Sequence, residues 1–166
     1  MKWMMLAAAT AAALATAAPA RAEEAIVTYK SLAPDVAFEL ARAALQRCRH
    51  DGFQVAVVVI DRFGSPLVML RDRYAGLAAP ATAQGKAWTA VNFSRNTSEA
   101  IKAIQAGQMS AALASLPNVV MLAGGVVIEG GGALLGGVGV AGAPGGDKDE
   151  ACAKAGLEAV RDKIEF

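Results

Sequence analysis

GGVVIEGGGALLGGVGVAGAPGG, residues Gly124–Gly146, packs 11 of the chain's 17 glycines into 23 residues. Two apolar runs lie between them, Val126–Ile128 and Ala133–Val140, joined across Gly130-Gly131-Gly132. Short β-branched runs bounded by glycine read as strands, and two in close succession as a hairpin. Glycine inside a strand offers no side chain to pack, so it marks a close approach by other backbone or by a ligand. The segment predicts a hairpin pressed from one side. With 55% hydrophobic residues and only 5% aromatic, the core must be built from Ala, Val and Leu rather than rings.

The flanking sequence extends the pattern. Phe53–Ile60 (FQVAVVVI) predicts a central buried strand, Asp61-Arg62-Phe63-Gly64 a tight turn, and Pro66–Leu70 the returning strand. Ala25–Lys30 reads as an edge strand and Val119–Leu122 as a further strand-like run. Val36, Ala37, Leu40, Ala41, Ala44, Leu45 and Cys48 recur at helical spacing after Pro34, and Gly52 ends that helix. Pro80–Ser94 is an Ala-rich helix carrying Lys86, Trp88 and Phe93. Asn96 with Glu99 resembles a capping box opening a helix over Ala100–Ala106. Asp147 with Glu150 predicts the same device at the start of a last helix, whose apolar stripe is Cys152, Ala155, Gly156, Ala159 and Val160. Strands joined by short turns imply a mainly antiparallel sheet with helices packed on it, an α+β fold.

Met1–Ala22 has one early Lys, an uncharged Ala-rich run and the small-residue site Ala20-Arg21-Ala22. That is the layout of a secretory signal peptide, followed by a single domain over residues 23–166. Pro19 and the Ala-dominated run argue against a stable membrane anchor. The expected location is periplasmic or secreted. A formal charge of +1 offers no electrostatic footprint for nucleic acid. Export permits disulfides, and Cys48 and Cys152 are the only pair. Cys48 sits in the last turn of the first helix and Cys152 in the first turn of the last. Helices lying antiparallel on one sheet face would bring them together. The alternative is two reduced, buried thiols.

Few motifs point to chemistry. Gly137-Val-Gly-Val-Ala-Gly142 spells a dinucleotide fingerprint, but its glycines fall inside a strand and no second parallel strand follows. No Gly-Lys-Ser/Thr follows a glycine cluster, which excludes a P-loop. His50 is the single histidine, too few for a closed zinc site. It reads as an exposed helix cap, yet one histidine suffices as an axial ligand to haem iron. Without Cys-x-x-Cys-His, any haem is non-covalent. Tyr29, Tyr74, Met69, Met109 and Met121 are further axial candidates, although Met69 and Met121 lie in strand-like runs and read as core rather than ligand. Asp61, Arg71, Asp72, Arg73 and Lys86 read as a solvated rim, or Arg71 and Lys86 among them as a clamp for carboxylates or propionates; Asp147, Asp149 and Glu150 cluster at a helix start, where capping accounts for them.

Val55-Ala-Val-Val-Val-Ile-Asp61 with Gly64, Leu67-Val68 and Arg71-Asp72 resembles the first hairpin of a known family. Lys86-Ala-Trp-Thr-Ala90 is similar to its Lys-Ala-aromatic-Thr-Ala helix. Val120-Met-Leu-Ala-Gly-Gly125, Gly136-Gly-Val-Gly-Val140 and Gly146-Asp-Lys-Asp-Glu150 resemble its Gly-rich end. This is the GlcG/HbpS family of haem-binding or "haem-degrading" domains, also found as the C-terminal part of PduO-type proteins, and the resemblance runs from about Leu32 to Val160. It implies a profilin-like α-β-α fold on a five-stranded antiparallel sheet, homo-oligomers, and haem or tetrapyrrole binding in some members. Here the family's Gly-Val-Ser-Gly reads Gly139-Val-Ala-Gly142, one hydroxyl fewer, and Val126 replaces a third glycine after Gly124-Gly125.

The expected function is therefore an exported small-molecule-binding protein for haem or a related tetrapyrrole. Backbone amides around Gly124, Gly125 and Gly142 would line the pocket, Arg71 and Lys86 would hold acidic groups, and His50 would face the iron. Two other readings stay open. One is an enzyme or accessory protein acting on a small organic acid or on haem, with Asp61 or His50 as base. The other is a structural oligomer with no ligand.

Overall fold

A computed structural model describes residues 26–165, and the expected leader over residues 1–22 lies outside them. The elements are α1 (Pro34–His50), β1 (Ala56–Asp61), β2 (Pro66–Arg71), α2 (Ala79–Phe93), α3 (Thr97–Gln105), a 3-10 turn (Ala111–Ser115), β3 (Gly125–Gly130), β4 (Ala133–Ala141), α4 (Gly146–Glu158) and α5 (Arg161–Ile164). The sheet order is β2-β1-β4-β3, with every neighbouring pair antiparallel.

Both faces of the sheet are covered. Val57, Val59, Val126, Ile128, Val138 and Val140 face α1 and α4, while Ala56, Val58, Ile60 and Ala141 meet Ala79, Ala83 and Ala87 of α2. A strand covered on both sides needs no polar alternation, which explains the unbroken apolar run of β1. β4 splits its residues by size. Val138 and Val140 fill the α1/α4 side, and Gly137 and Gly139 face α2. A Cβ on Gly139 would overlap the Ala83 carbonyl, and one on Gly137 would stand 3.0 Å from the Ala87 carbonyl oxygen. The neighbour pressing on the glycine-rich hairpin is thus a helix.

On the opposite side, α1 and α4 meet through small residues: a Cβ on Gly156 would lie 2.6 Å from the Leu40 carbonyl oxygen. Cys48 and Cys152 lock that pair in a disulfide with Cα atoms 5.5 Å apart, both side chains fully buried. The α1 stripe is buried as its spacing predicts, and Gly52 follows it with φ +84°.

Four expectations are corrected. The sheet has four strands among the described residues, where the resemblance implied five. Residues 26–30 form no strand; the Tyr29 ring instead meets Phe63 edge-on at 5.3 Å, beneath the Arg62 guanidinium. Residues 119–122 form none either, because Asn118 turns left-handed (φ +65°) and the Val120 N–H donates to Thr89 Oγ1 at 2.8 Å. The Val120 N–H is thereby spent on a helix side chain rather than on a neighbouring strand. Finally, Asp147 does not cap α4. The N-cap is Gly145 with no side-chain bond, and two residues on, Asp149 is drawn inward by a buried cation. The Asn96–Glu99 box does form.

Candidate functional site

Helix α2 is a stripe of alanines, and a lysine on its buried side demands a partner, since an unpaired buried charge is prohibitively costly. Lys86 finds one 63 residues away. Its Nζ donates to Asp149 Oδ2 at 2.6 Å and to the Val140 carbonyl oxygen at 2.9 Å. The Ala143 N–H donates to Asp149 Oδ1 at 3.0 Å. Burial holds the Asp149 carboxyl above its usual value, and the Lys86 and Ala143 bonds draw it part of the way back. Gly124 and Gly125 sit against this knot. A Cβ on Gly124 would lie 3.0 Å from Lys86 Nζ, and one on Gly125 would overlap the Lys86 carbonyl. Lys86, Gly124 and Gly125 therefore fasten α2, β3, β4 and α4 together, and Lys86 is already neutralised by a carboxylate.

The other three expected site residues gather at one end of the sheet. Ala56, near the start of β1, pairs with Arg71 on one side and Ala141 on the other. Gly142 follows at φ +129°, so close to the Gln54 carbonyl oxygen (2.7 Å from its would-be Cβ) that a side chain is excluded. The chain enters this end from the last turn of α1, which carries Arg47, Arg49 and His50. A cleft of about 440 Å³ opens there, lined by Arg49, Gln54, Asp72, Arg73 and Tyr74.

Charge at this end is uneven. Asp72, itself buried, accepts from Arg49 Nε at 2.7 Å and from the Val55 N–H at 3.3 Å, so it neutralises one arginine. Arg71 donates to the Ala75 carbonyl oxygen at 2.9 Å. Neither Arg71 nor Arg73 has a carboxylate partner among the described residues. The His50 side chain is 85% exposed, with Nδ1 3.1 Å from Asp51 Oδ1. An ionised carboxylate only accepts, so Nδ1 carries the proton, and in the neutral ring Nε2 keeps its lone pair. The Arg47 hydrogen bond to Asp51 at 2.9 Å, with a lesser share from His50, holds that carboxylate below its usual value.

The sequence placed Asp149 in a capping cluster and Arg73 on a solvated rim, and missed the Lys86–Asp149 and Arg49–Asp72 pairs. A lysine among alanines at helical spacing was the signal for a buried carboxylate, although nothing local says which one. A second cleft, of about 410 Å³, lies on the outer face of α2 around Trp88.

Residues 32–158 match the family described as haem-degrading protein HbpS-like. The chain belongs to the HbpS-like family. A double mutant of Streptomyces reticuli HbpS is 39% identical, with 87% of this chain and 97% of that chain covered at a TM-score of 0.77. A PduOC:heme complex is 30% identical over 78% of this chain and 94% of that chain, at a TM-score of 0.72. Klebsiella pneumoniae ORFY, at 23% identity and a TM-score of 0.78 over 84% and 97% of the two chains, shares the fold. No curated relative matches the chain. The cleft between the end of α1 and the loop after β2 is lined by two guanidinium groups and a phenol, and the His50 imidazole is not among its lining groups. No helix of the described residues is long and apolar enough to cross a membrane.

Proposed function

We propose that this protein binds haem or a related tetrapyrrole non-covalently at the His50–Arg73–Tyr74 end of the sheet. The observation that carries the proposal is the His50–Asp51 pair. Histidines that bind metals usually give their other ring N–H to a carboxylate, which fixes the tautomer and aims the free nitrogen outward. His50 shows that arrangement, with its chain neighbour Arg49 on the cleft wall. Arg71 and Arg73 are free of carboxylates and suit propionates, while the exposed Tyr74 ring offers a flat apolar surface. Bound haem would supply an iron centre for sensing, storage or oxygen chemistry, and these residues hold it and set its access to water. The family to which the chain belongs and the heme complex of a relative support the same reading.

A site this exposed gains from a cover. Met69, Tyr74 and Leu77, the last 96% exposed, lie on the outer strand β2 and the loop after it. We read this edge as covered by a second copy in a homo-oligomer, since bare apolar edges invite pairing. Export to the periplasm or medium suits the disulfide.

The test is a hemin titration followed by absorption, with native mass measurement of the complex. Saturable binding with a shifted Soret band is expected, and His50→Ala should change the band and weaken binding about tenfold or more. Tyr74→Phe separates phenolate from imidazole ligation. If Trp88→Ala abolishes binding while His50→Ala and Arg73→Gln leave it intact, haem belongs in the α2 cleft and this placement fails.

A further inference from the structure

The outer face of α2 presents Ala81, Gln84, Gly85 and Trp88 as the floor of the second cleft, walled by Gly64 of the β1–β2 turn and by Asn118 and Val120. The walls are fixed. Val120 is tied to α2 through Thr89 Oγ1, which itself donates to the Gly85 carbonyl oxygen at 2.7 Å. Gly64, at φ +88°, approaches so closely that a Cβ would stand 3.1 Å from Trp88 Cδ1. The absence of a side chain on Gly85 lets Val120 close over the helix. Such a site needs little rearrangement to accept a ligand.

Its polar groups are idle. Among the described residues, the Gln84 carboxamide, the Asn118 carboxamide and Trp88 Nε1–H have no hydrogen-bond partner. Gln84 and Trp88 are four residues apart, so a polar edge and a stacking face stand side by side on one helix. No charged residue lines this cleft. A smaller cleft of about 170 Å³ shares Gly64 and Trp88 with it and adds Arg62, Phe63, Val91 and Asn92. The Arg62 guanidinium lies over the Tyr29 ring, 4.6 Å from its centroid, with its N–H donors unpaired among the described residues.

We infer that this cleft binds a planar heterocycle with a paired donor–acceptor edge and an anionic tail: the ring stacks on Trp88, its edge pairs with the Gln84 and Asn118 carboxamides, and the tail meets Arg62. A carboxamide donates and accepts at once, so it matches a ring edge doing the same. Stacking on an indole is tolerant of ring identity, so specificity comes from the edge and the charge.

Trp88 and Trp3 are the chain's only tryptophans, so with Trp3→Phe the fluorescence reports on Trp88. The probes are FMN and AMP, which carry ring edge and phosphate; riboflavin, which lacks phosphate; and 1-naphthyl phosphate, which lacks the edge. FMN or AMP should quench saturably, with riboflavin weaker than FMN by about tenfold and 1-naphthyl phosphate weaker than both by a similar factor. Arg62→Gln should remove the FMN–riboflavin gap, and Gln84→Leu, at a half-exposed helix position, should remove the advantage over 1-naphthyl phosphate. The proposal is overturned if neither FMN nor AMP quenches, if Gln84→Leu binds like wild type, or if hemin displaces the probe one for one. Because hemin binding is followed by its own Soret band, failure here is distinguishable from failure of the haem site.

Discussion

Replacing Lys86 with Met tests the knot that joins the sheet to α2 and α4. Both partners are almost wholly buried, and Asp149 keeps only the Ala143 N–H once Lys86 is gone. Breaking a buried pair by removing one member costs about 3–5 kcal/mol, because the remaining charge is stranded. For a domain of ordinary stability this is about a fifth or more of the total. In urea, with a slope of about 1.5–2 kcal/mol/M, it moves the midpoint down by roughly 2 M. The pH dependence has a definite sign. Folding raises the Asp149 carboxyl above its ordinary 3.8, so its favourable contribution is full below that value and is lost as pH rises through the raised one. Without Lys86 that loss is uncompensated. The cost of Lys86→Met should therefore be largest near neutrality and shrink as the pH falls through the raised value, where the carboxyl takes up its proton. Lys86→Met/Asp149→Leu should cost less than Lys86→Met alone at pH 7. A pH-independent cost, or a double variant equal to the sum of the singles, would refute the reasoning.

Reducing the Cys48–Cys152 bond, or replacing both residues with Ser, should lower stability by about 4–5 kcal/mol in the chain-entropy account, since the bond closes a separation of 104 residues; urea unfolding with and without reductant measures this. Gly139→Ala should fail to fold or lose several kcal/mol, about the cost of severe overpacking, because the Ala83 backbone cannot retreat from the new methyl; Gly132→Ala, with open space around its Cβ but φ +73°, should cost only about 1 kcal/mol. In an NMR titration Asp51 should lose its proton below the usual 3.8, and Arg47→Ala should raise that midpoint by removing the largest cause of the shift.

The resemblance in the sequence pointed to the right family, and the two outer hairpins, the α1 stripe and the Asn96–Glu99 box were all readable, because spacing and turn chemistry are local. The candidate site was legible only in part. His50, Arg71 and Gly142 lie at one end of the sheet, and Tyr74 was readable as a candidate, yet its place beside Arg49 and Arg73 in one cleft emerged only when the loop after β2 was seen to border the α1 terminus.

The amino-acid sequence by itself determined the α+β class, the antiparallel hairpins and a core of small side chains, since alternation, helical spacing and glycine punctuation act within a few residues. Tertiary structure decided what those features face. It set a helix rather than a ligand against the glycines of β4, turned Asp149 inward to Lys86, and kept residues 119–122 out of the sheet. Each choice hangs on partners that the chain brings together from 31 to 63 residues apart, and no local pattern encodes which distant atom will satisfy a buried charge or an unpaired N–H.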